Sequence, residues 1–163
     1  MVNVLDKVQP KNKTQLKSLI EYAFNHNIYD LNFIDTNKIT DMSNLFINCE
    51  YDIDVSNWDV SNVTNMSAMF YYCKKFDCDL SNWDVSNVTN MAGMFAGCEK
   101  FDCDLSRWNV SNVKYIYFMF HNCKKFNSDM SNWNVTKAKS TLNMFNGCDK
   151  MTIPNWYKLY HKK

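Results

Sequence analysis

The chain has 163 residues, of which 46% are hydrophobic and 15% aromatic, a composition that excludes a disordered protein and suits one folded domain. Its net charge is +1, so charge alone gives no reason to expect a nucleic acid or an anionic membrane as partner. No segment is apolar enough for a membrane span or for the core of a secretory signal. We therefore expect no membrane insertion, and either a cytoplasmic location or export by a route other than Sec.

The first segment, residues 1–29, is predicted to form an N-terminal capping helix. Apolar side chains recur there at helical spacing in "TQLKSLIEYAFNHN", with Lys17 and Glu21 on the other face. The apolar positions are Leu16, Leu19, Ile20, Ala23 and Phe24. An amphipathic helix of this kind is well placed to cover the first unit of the structure that follows.

A repeat then dominates the chain, because Trp, Phe and Cys each return every 25 residues. The Trp series is Trp58, Trp83, Trp108 and Trp133, and the Cys series is Cys73, Cys98, Cys123 and Cys148. An earlier, degenerate copy ends at Cys49 and has Ile34 in the Trp place. Five copies result, at residues 30–49, 54–73, 79–98, 104–123 and 129–148.

Within one copy, two apolar periods follow each other. The alternation Trp58–Val60 has the period of a strand, and Met66, Met69, Phe70 and Cys73 have the i, i+3, i+4, i+7 spacing of a short helix. Ser, Thr and Asn between them favour a turn. Each copy therefore predicts a short parallel strand, a turn and a short helix. Because one copy cannot bury its own apolar edge, the copies should stack into a right-handed solenoid.

The last segment, residues 150–163, is predicted to be a C-terminal cap. Pro154 suits a first helical turn, and Trp156, Leu159 and Tyr160 offer a short apolar face to the last copy. Residues 1–163 are accordingly expected to form a single α/β repeat domain, with the five copies of residues 30–149 between two caps.

The repeat "DLSNWDVSNVTNMAGMFAGC" resembles that of the BspA-like surface-protein family, a relative of the leucine-rich repeats found mainly in bacteria. The segment "KNKTQLKSLI" is similar to the entry segment that often precedes such repeats. The resemblance implies a leucine-rich-repeat-like solenoid with a binding or adhesion role. It supplies no catalytic residue.

The seven cysteines do not form a disulfide framework, since their number is odd and five occupy apolar helical positions. Those five are expected to be buried thiols. Cys78 and Cys103 precede neighbouring strands, where a bridge is geometrically possible, and they should be the pair most able to approach each other. This usage fits a reducing compartment.

Aspartates flank those two cysteines, and two interpretations of them stay open. Neighbouring Lys side chains favour a solvated rim of ion pairs, whereas a cluster of carboxylates also suits calcium. The calcium candidates are Asp77, Asp79, Asp102 and Asp104. We expect no cofactor and no metal site, and these four aspartates are the candidate ligands of the calcium alternative.

A polar row is predicted to face outward if Trp58 and Val60 face the core, because neighbouring residues of a strand point to opposite faces. Its members are Asn57, Asp59, Asn82, Asp84, Arg107, Asn109, Asn132 and Asn134. With no catalytic motif in the sequence, we expect a monomeric, non-catalytic interaction or adhesion module that binds a protein, or a glycan, through this face. The alternative is a carbohydrate- or calcium-binding structural module that uses the Asn and Asp rows.

Overall fold

The computed structural model describes residues 7–160, and its two helices within that range are α1, Lys13–Asn25, and α2, Asn155–Tyr160. Residues 1–6 and 161–163 of the two predicted caps lie outside the described residues. Neither α1 nor α2 combines the length and apolar character needed to cross a membrane.

The predicted amphipathic helix at the start of the chain is present as α1. Asn12 caps it, because its side-chain oxygen accepts a hydrogen bond from the Gln15 backbone N–H at 3.0 Å. Leu16, Ile20 and Ala23 are buried against the first repeat. At the helix start, the Lys13 ammonium lies 3.0 Å from the Asp41 carboxylate, so α1 is held to the first repeat by both apolar and polar contacts.

The predicted α/β solenoid of strand–turn–helix coils is wrong. Between α1 and α2 the described chain contains no helix, and its β structure consists of isolated parallel bridges that do not extend into a sheet. One series of bridges joins Asp41, Asn65, Asn90 and Tyr115. The Trp58–Val60 segment is therefore not a strand, and the stripe from Met66 to Cys73 is not a helix.

Consecutive tight turns build each repeat instead. In the third repeat, backbone N–H groups donate to the carbonyl three residues earlier: Trp83 to Leu80, Val88 to Val85, Met94 to Met91, Cys98 to Phe95 and Phe101 to Cys98. Such a bond brings residues i and i+3 together, and here both are apolar and point inward. A chain of turns thus produces the apolar spacing of three that a short helix also has.

Positive φ angles explain why these turns do not join into a helix. Each repeat has two of them, four residues apart, whereas an α-helix needs φ near about −63° throughout. In the third repeat the two residues are Gly93 (φ 62°) and Gly97 (φ 78°), which adopt this conformation at little steric cost. Every repeat is therefore interrupted twice in the segment where a helix was predicted.

Backbone hydrogen bonds join each repeat to the next in a constant register. Met66, Phe70 and Tyr72 donate their N–H groups to the carbonyls of Asn90, Met94 and Ala96 at 2.7 to 2.9 Å. Equivalent bonds connect the other neighbouring repeats. The five copies consequently form one continuous stack, called the repeat stack below, with the apolar side chains inside.

Ladders of identical side chains fill the interior. The rings of Phe46, Phe70, Phe95, Phe120 and Phe145 follow one another at centroid distances of 5.5 to 5.9 Å and nearly parallel. The prediction that Trp58, Trp83, Trp108 and Trp133 are buried is confirmed. Each Trp indole N–H also donates to a backbone carbonyl of the preceding repeat, so the ladder is both packed and hydrogen-bonded.

The Cys ladder lies beside the Phe rings. The thiols of Cys73, Cys98 and Cys123 are fully buried, and each donates to the carbonyl of a Phe one repeat earlier at 2.7 to 3.0 Å. Cys148 makes the same bond at 2.8 Å but is only half-buried. Burial raises the pKa of Cys73 to about 12, so this thiol stays protonated at neutral pH.

At the C-terminal end, α2 extends the Trp ladder. The Trp156 indole N–H donates to the Met130 carbonyl at 2.7 Å, as the Trp of a further repeat would. The predicted apolar face of this segment is partly wrong, because Leu159 is 68% exposed and Tyr160 is also exposed. Tyr157 packs against the core in their place. The Trp156 hydrogen bond and the packing of Tyr157 set the orientation of α2, so Leu159 lies on its exposed side.

Candidate functional site: the aspartate groove and the polar row

Asp-x-Ser triplets occupy the first positions of turns on the exposed side of the repeat stack. The Asp79 carboxylate accepts the Ser81 backbone N–H at 2.9 Å, and the Asp104 carboxylate accepts that of Ser106 at 2.9 Å. These are Asx turns, in which an Asp or Asn side chain bonds the backbone two residues on. The turns fix these carboxylates on the surface while the next apolar residue points inward.

A polar depression of about 450 Å³ lies between the third and fourth repeats on this side, and we call it the aspartate groove. Its lining includes all four predicted calcium candidates together with two members of the polar row. The lining residues are Asp77, Cys78, Asp79, Ser81, Asn82, Asp102, Cys103, Asp104 and Arg107. The structure therefore places the calcium candidates and part of the polar row in one groove, although the two sets were predicted separately.

Cys103 links the two sides of the groove. Its sulfur accepts the Leu80 backbone N–H at 3.1 Å, and its thiol lies 3.5 Å from a carboxylate oxygen of Asp79. Ser128 repeats this arrangement one copy later, toward Leu105 and Asp104. Cys103 and Ser128 thus make equivalent hydrogen bonds that join adjacent repeats, one through a thiol and the other through a hydroxyl. This equivalence was missed from the sequence.

The groove thiols are neutral and free. Burial raises the pKa of Cys78 to about 12 and that of Cys103 to about 11, and the nearby Asp carboxylates act in the same direction. Both cysteines are free in this structure. Because burial and the nearby carboxylates favour the neutral thiol, neither residue resembles an activated cysteine nucleophile.

The four groove carboxylates already accept hydrogen bonds from the protein. Bonds from Ser81 lower the pKa of Asp79, and bonds from Ser106, with the nearby Arg107 charge, lower that of Asp104. Asp77 and Asp102 each accept a backbone N–H of the following repeat, at 3.2 and 3.0 Å. Repulsion among the four aspartates is thus offset by nearby hydrogen-bond donors. This allows carboxylates to occupy the same positions in successive repeats.

The calcium interpretation gains no support from the geometry. Within residues 7–160, no group of three or more His, Cys, Asp or Glu side chains is placed to hold a metal ion. One oxygen of each candidate carboxylate already accepts a hydrogen bond from the protein. The four aspartates line one groove without converging on one point.

All eight predicted members of the polar row are exposed, although they do not lie on a sheet. They divide into two columns. The first column forms Asx turns with residues two positions later, and its members are Asp59, Asp84, Asn109 and Asn134. The prediction of a strand face is wrong because alternation here comes from turns, which place every second side chain outward as a strand would.

The second column of the row has its side chains available to a partner. Asn57, Asn82 and Asn132 make no side-chain hydrogen bond to any residue between 7 and 160, and Arg107 has an electrostatic interaction with Asp104. All four side chains are exposed. The distinction between the two columns was missed from the sequence, although the Asp-x-Ser pattern of the first column could have shown it.

Comparisons with known proteins give one match. A family model described as "Mycoplasma protein of unknown function, DUF285" matches residues 14–53 and 40–156. No curated protein and no solved structure matches the chain. The matched segments run from α1 through all five repeats into α2, and the narrower BspA-like relation remains a prediction. The chain therefore belongs to this family of Mycoplasma proteins of unknown function.

Proposed function

We propose that this protein is a non-catalytic binding module that holds a macromolecular partner, in the first place a protein, on its polar row. The observation that carries the proposal is the second column of the row. Asn57, Asn82, Arg107 and Asn132 are exposed at successive levels of the stack, and they stabilise no turn. Exposed side chains that hold no turn are available to contact a partner.

Arg107 is the central member of this surface. It interrupts a column of Asn at mid-stack, and it also lines the aspartate groove. Arg is enriched at protein interfaces because its planar guanidinium can make several hydrogen bonds at once. Arg107 next to Asp104 gives the surface both signs of charge, which suits a partner with a mixed polar surface.

The acidic neighbourhood argues against a polyanionic partner. Asp77, Asp79, Asp102 and Asp104 are exposed carboxylates beside Arg107, and they would repel a phosphate backbone. The resemblance to BspA-like surface proteins supports an adhesion or interaction role.

The experiment first identifies a partner with the intact protein by proximity labelling and pull-down. Arg107→Ala and Asn82→Ala should then each weaken the measured affinity about tenfold, a loss of about 1.4 kcal/mol, without lowering Tm. Lys125→Ala is the control, because Lys125 is an exposed cation outside the row. Unchanged affinity in both variants would contradict the proposal.

Asp84 is a poor probe for this purpose because it holds an Asx turn with Ser86 at 3.0 Å. Asp84→Asn, which keeps the turn acceptor and removes only the charge, is the appropriate variant. The same assay is run with and without Ca²⁺. A rise in Tm or in affinity that requires Ca²⁺ would favour the calcium-binding alternative over a plain interaction surface.

A further inference from the structure

A second depression, which shares no residue with the aspartate groove, crosses the second, third and fourth repeats. Its cavity is about 470 Å³, and we call it the tyrosine groove. Its walls include Tyr71 and Tyr72 of the second repeat and Tyr117 and Phe118 of the fourth, above a floor that includes Gly93 and Ala96. The volume lies in the range of about 300–1,000 Å³ that is typical of small-ligand sites.

The groove exists because the third repeat has small residues where its neighbours have rings. Ala96 and Gly97 stand where the second repeat has Tyr71 and Tyr72, and Gly93 stands where the fourth repeat has Phe118. The Tyr72 ring lies directly over Gly97, since a Cβ at Gly97 would be 3.0 Å from it. The third repeat is thus a valley between two aromatic ridges.

The ridges leave large aromatic surface in contact with solvent. Tyr71, Tyr72 and Tyr117 are 38%, 39% and 39% exposed. The rings of Tyr71 and Tyr72 lie 4.7 Å apart, so they form one continuous aromatic wall. Contiguous aromatic surface of this kind marks binding sites more often than single exposed rings do.

Backbone conformation gives a second, independent observation. The positive-φ positions of the repeats are occupied by Gly or Asn, residues that tolerate this conformation, with three exceptions among residues 7–160. The exceptions are Ala68 (φ 52°), Tyr72 (φ 58°) and Phe118 (φ 57°). All three line the tyrosine groove. The fold would be less strained with Asn there, so stability does not explain the choice of these residues.

His121 adds to this pattern. It lines the groove, and its Nδ1 is buried without a hydrogen-bond partner anywhere in residues 7–160. A buried polar atom without a partner costs stability and calls for an explanation. Backbone strain and an unsatisfied polar atom thus occur together at one surface depression, as is common where function takes precedence over stability.

The chemistry of the lining selects a neutral, hydroxylated ligand with apolar ring faces. None of the lining residues is Asp, Glu, Lys or Arg, although 21% of the chain is charged. Tyr hydroxyls, Ser67 and Asn90 supply hydrogen-bond donors and acceptors around the rings. Aromatic faces carry negative partial charge and attract the C–H edges of a ligand ring. A pyranose combines such C–H faces with hydroxyls at its rim.

The floor argues against an extended peptide that adds to the backbone. The Gly93 N–H already donates to the Tyr117 carbonyl, and the Ala92 and Ala96 carbonyls already accept from Ala68 and Tyr72. Recognition must therefore come from side chains. We propose that the tyrosine groove binds the sugar rings of a neutral carbohydrate, with Tyr72, Tyr117 and Phe118 as stacking residues.

The test uses an array of neutral oligosaccharides built from glucose, galactose and N-acetylglucosamine, followed by calorimetry with any oligosaccharide that binds. Tyr117→Ala should weaken binding at least tenfold. Tyr22→Ala, which removes an exposed Tyr from α1, is the matched control and should leave binding unchanged. No binding to any member of the array at millimolar concentration would overturn the proposal.

A second variant separates binding from folding. Tyr72→Asn replaces a strained bulky residue by one that other repeats use at equivalent positions, so binding should be lost while Tm stays the same or rises. A clear fall in Tm would contradict the strain argument. Binding of a proline-rich peptide in place of every oligosaccharide, with the same dependence on Tyr117, would show that the groove serves a peptide and would also overturn the proposal.

Discussion

The interior and the outer surface of the repeat stack differ in how regularly they repeat. Inside, Trp, Phe and Cys recur at the same height in successive copies and make the same hydrogen bonds. Outside, the residue at one position changes from Tyr72 to Gly97 to Asn122. The interior is uniform because each level must fit the next, whereas the exterior is free to vary with function.

Two exposed regions show that variation on the outside has more than one meaning. In the aspartate groove, Asp79 and Asp104 stabilise turns by accepting the backbone N–H two residues later. Asp77 and Asp102 link neighbouring repeats by accepting a backbone N–H 25 residues later. The tyrosine groove, in contrast, places Tyr72 and Phe118 in a conformation that costs energy. Exposed carboxylates can thus stabilise the fold, whereas exposed aromatic residues with positive φ can destabilise it.

The largest loss of stability is expected for a substitution in the interior of the repeat stack. Trp108 is 4% exposed, and its indole N–H donates to the Leu80 carbonyl at 3.0 Å. Trp108→Ala removes both the ring and the donor and should lower the free energy of unfolding by about 3–5 kcal/mol, measured by urea titration. Trp108→Phe keeps most of the packing and should cost less. A loss no larger than that of a surface substitution would remove the contrast between interior and exterior.

A smaller loss of stability is expected in the first column of the polar row, whose members form Asx turns. Asp84→Ala removes the acceptor for the Ser86 backbone N–H and should cost about 0.5–2 kcal/mol of unfolding free energy, by analogy with a lost helix cap. Asp84→Asn should be nearly neutral, because Asn109 and Asn134 make the same turn in later repeats. Equal losses in the two variants would show that charge, and not the turn, is what matters.

The smallest effect is a pH dependence of stability. Hydrogen bonds from the Ser61 hydroxyl and backbone N–H lower the pKa of Asp59. A lowered pKa in the folded state means that the unfolded chain binds the proton more tightly. The contribution of Asp59 is therefore complete above about pH 5, declines as the pH falls through the unfolded value of about 3.9, and is lost below the folded pKa.

Thermal melts between neutral and acidic pH measure this effect. The wild-type Tm should fall on acidification, and Asp59→Asn should show a slightly smaller fall, since its amide does not titrate. A wild-type Tm that is constant down to pH values below the unfolded pKa of Asp would contradict the assignment of the first column as turn-forming carboxylates.

Register, burial and exposure could be predicted from the sequence because each depends on spacing alone. The 25-residue step gave the buried Trp ladder, and alternation around Trp58 gave the exposed row. The local structure could not be predicted in the same way. Apolar residues spaced three positions apart occur both in a helix and in successive turns. The sign of the backbone φ angle distinguishes the two structures.

Gly93 and Gly97 carried that missing information. Two glycines four residues apart are typical of positive φ, but only the third repeat has Gly at both positions. In the second and fourth repeats Tyr72 and Phe118 have positive φ as well, and their residue types do not indicate it. The tyrosine groove was missed for the same reason. It becomes visible only when the residues of three neighbouring repeats are compared at positions whose backbone conformation is known.

The constant register between repeats has a consequence for cooperativity. Each level bonds the level before it and the level after it, so the free energy of folding is a sum of nearest-neighbour couplings along one axis. We expect a single unfolding transition while all couplings are strong, and two transitions if one coupling, such as that between Phe95 and Phe120, is weakened enough. The part nearer α1 and the part nearer α2 then melt at different temperatures.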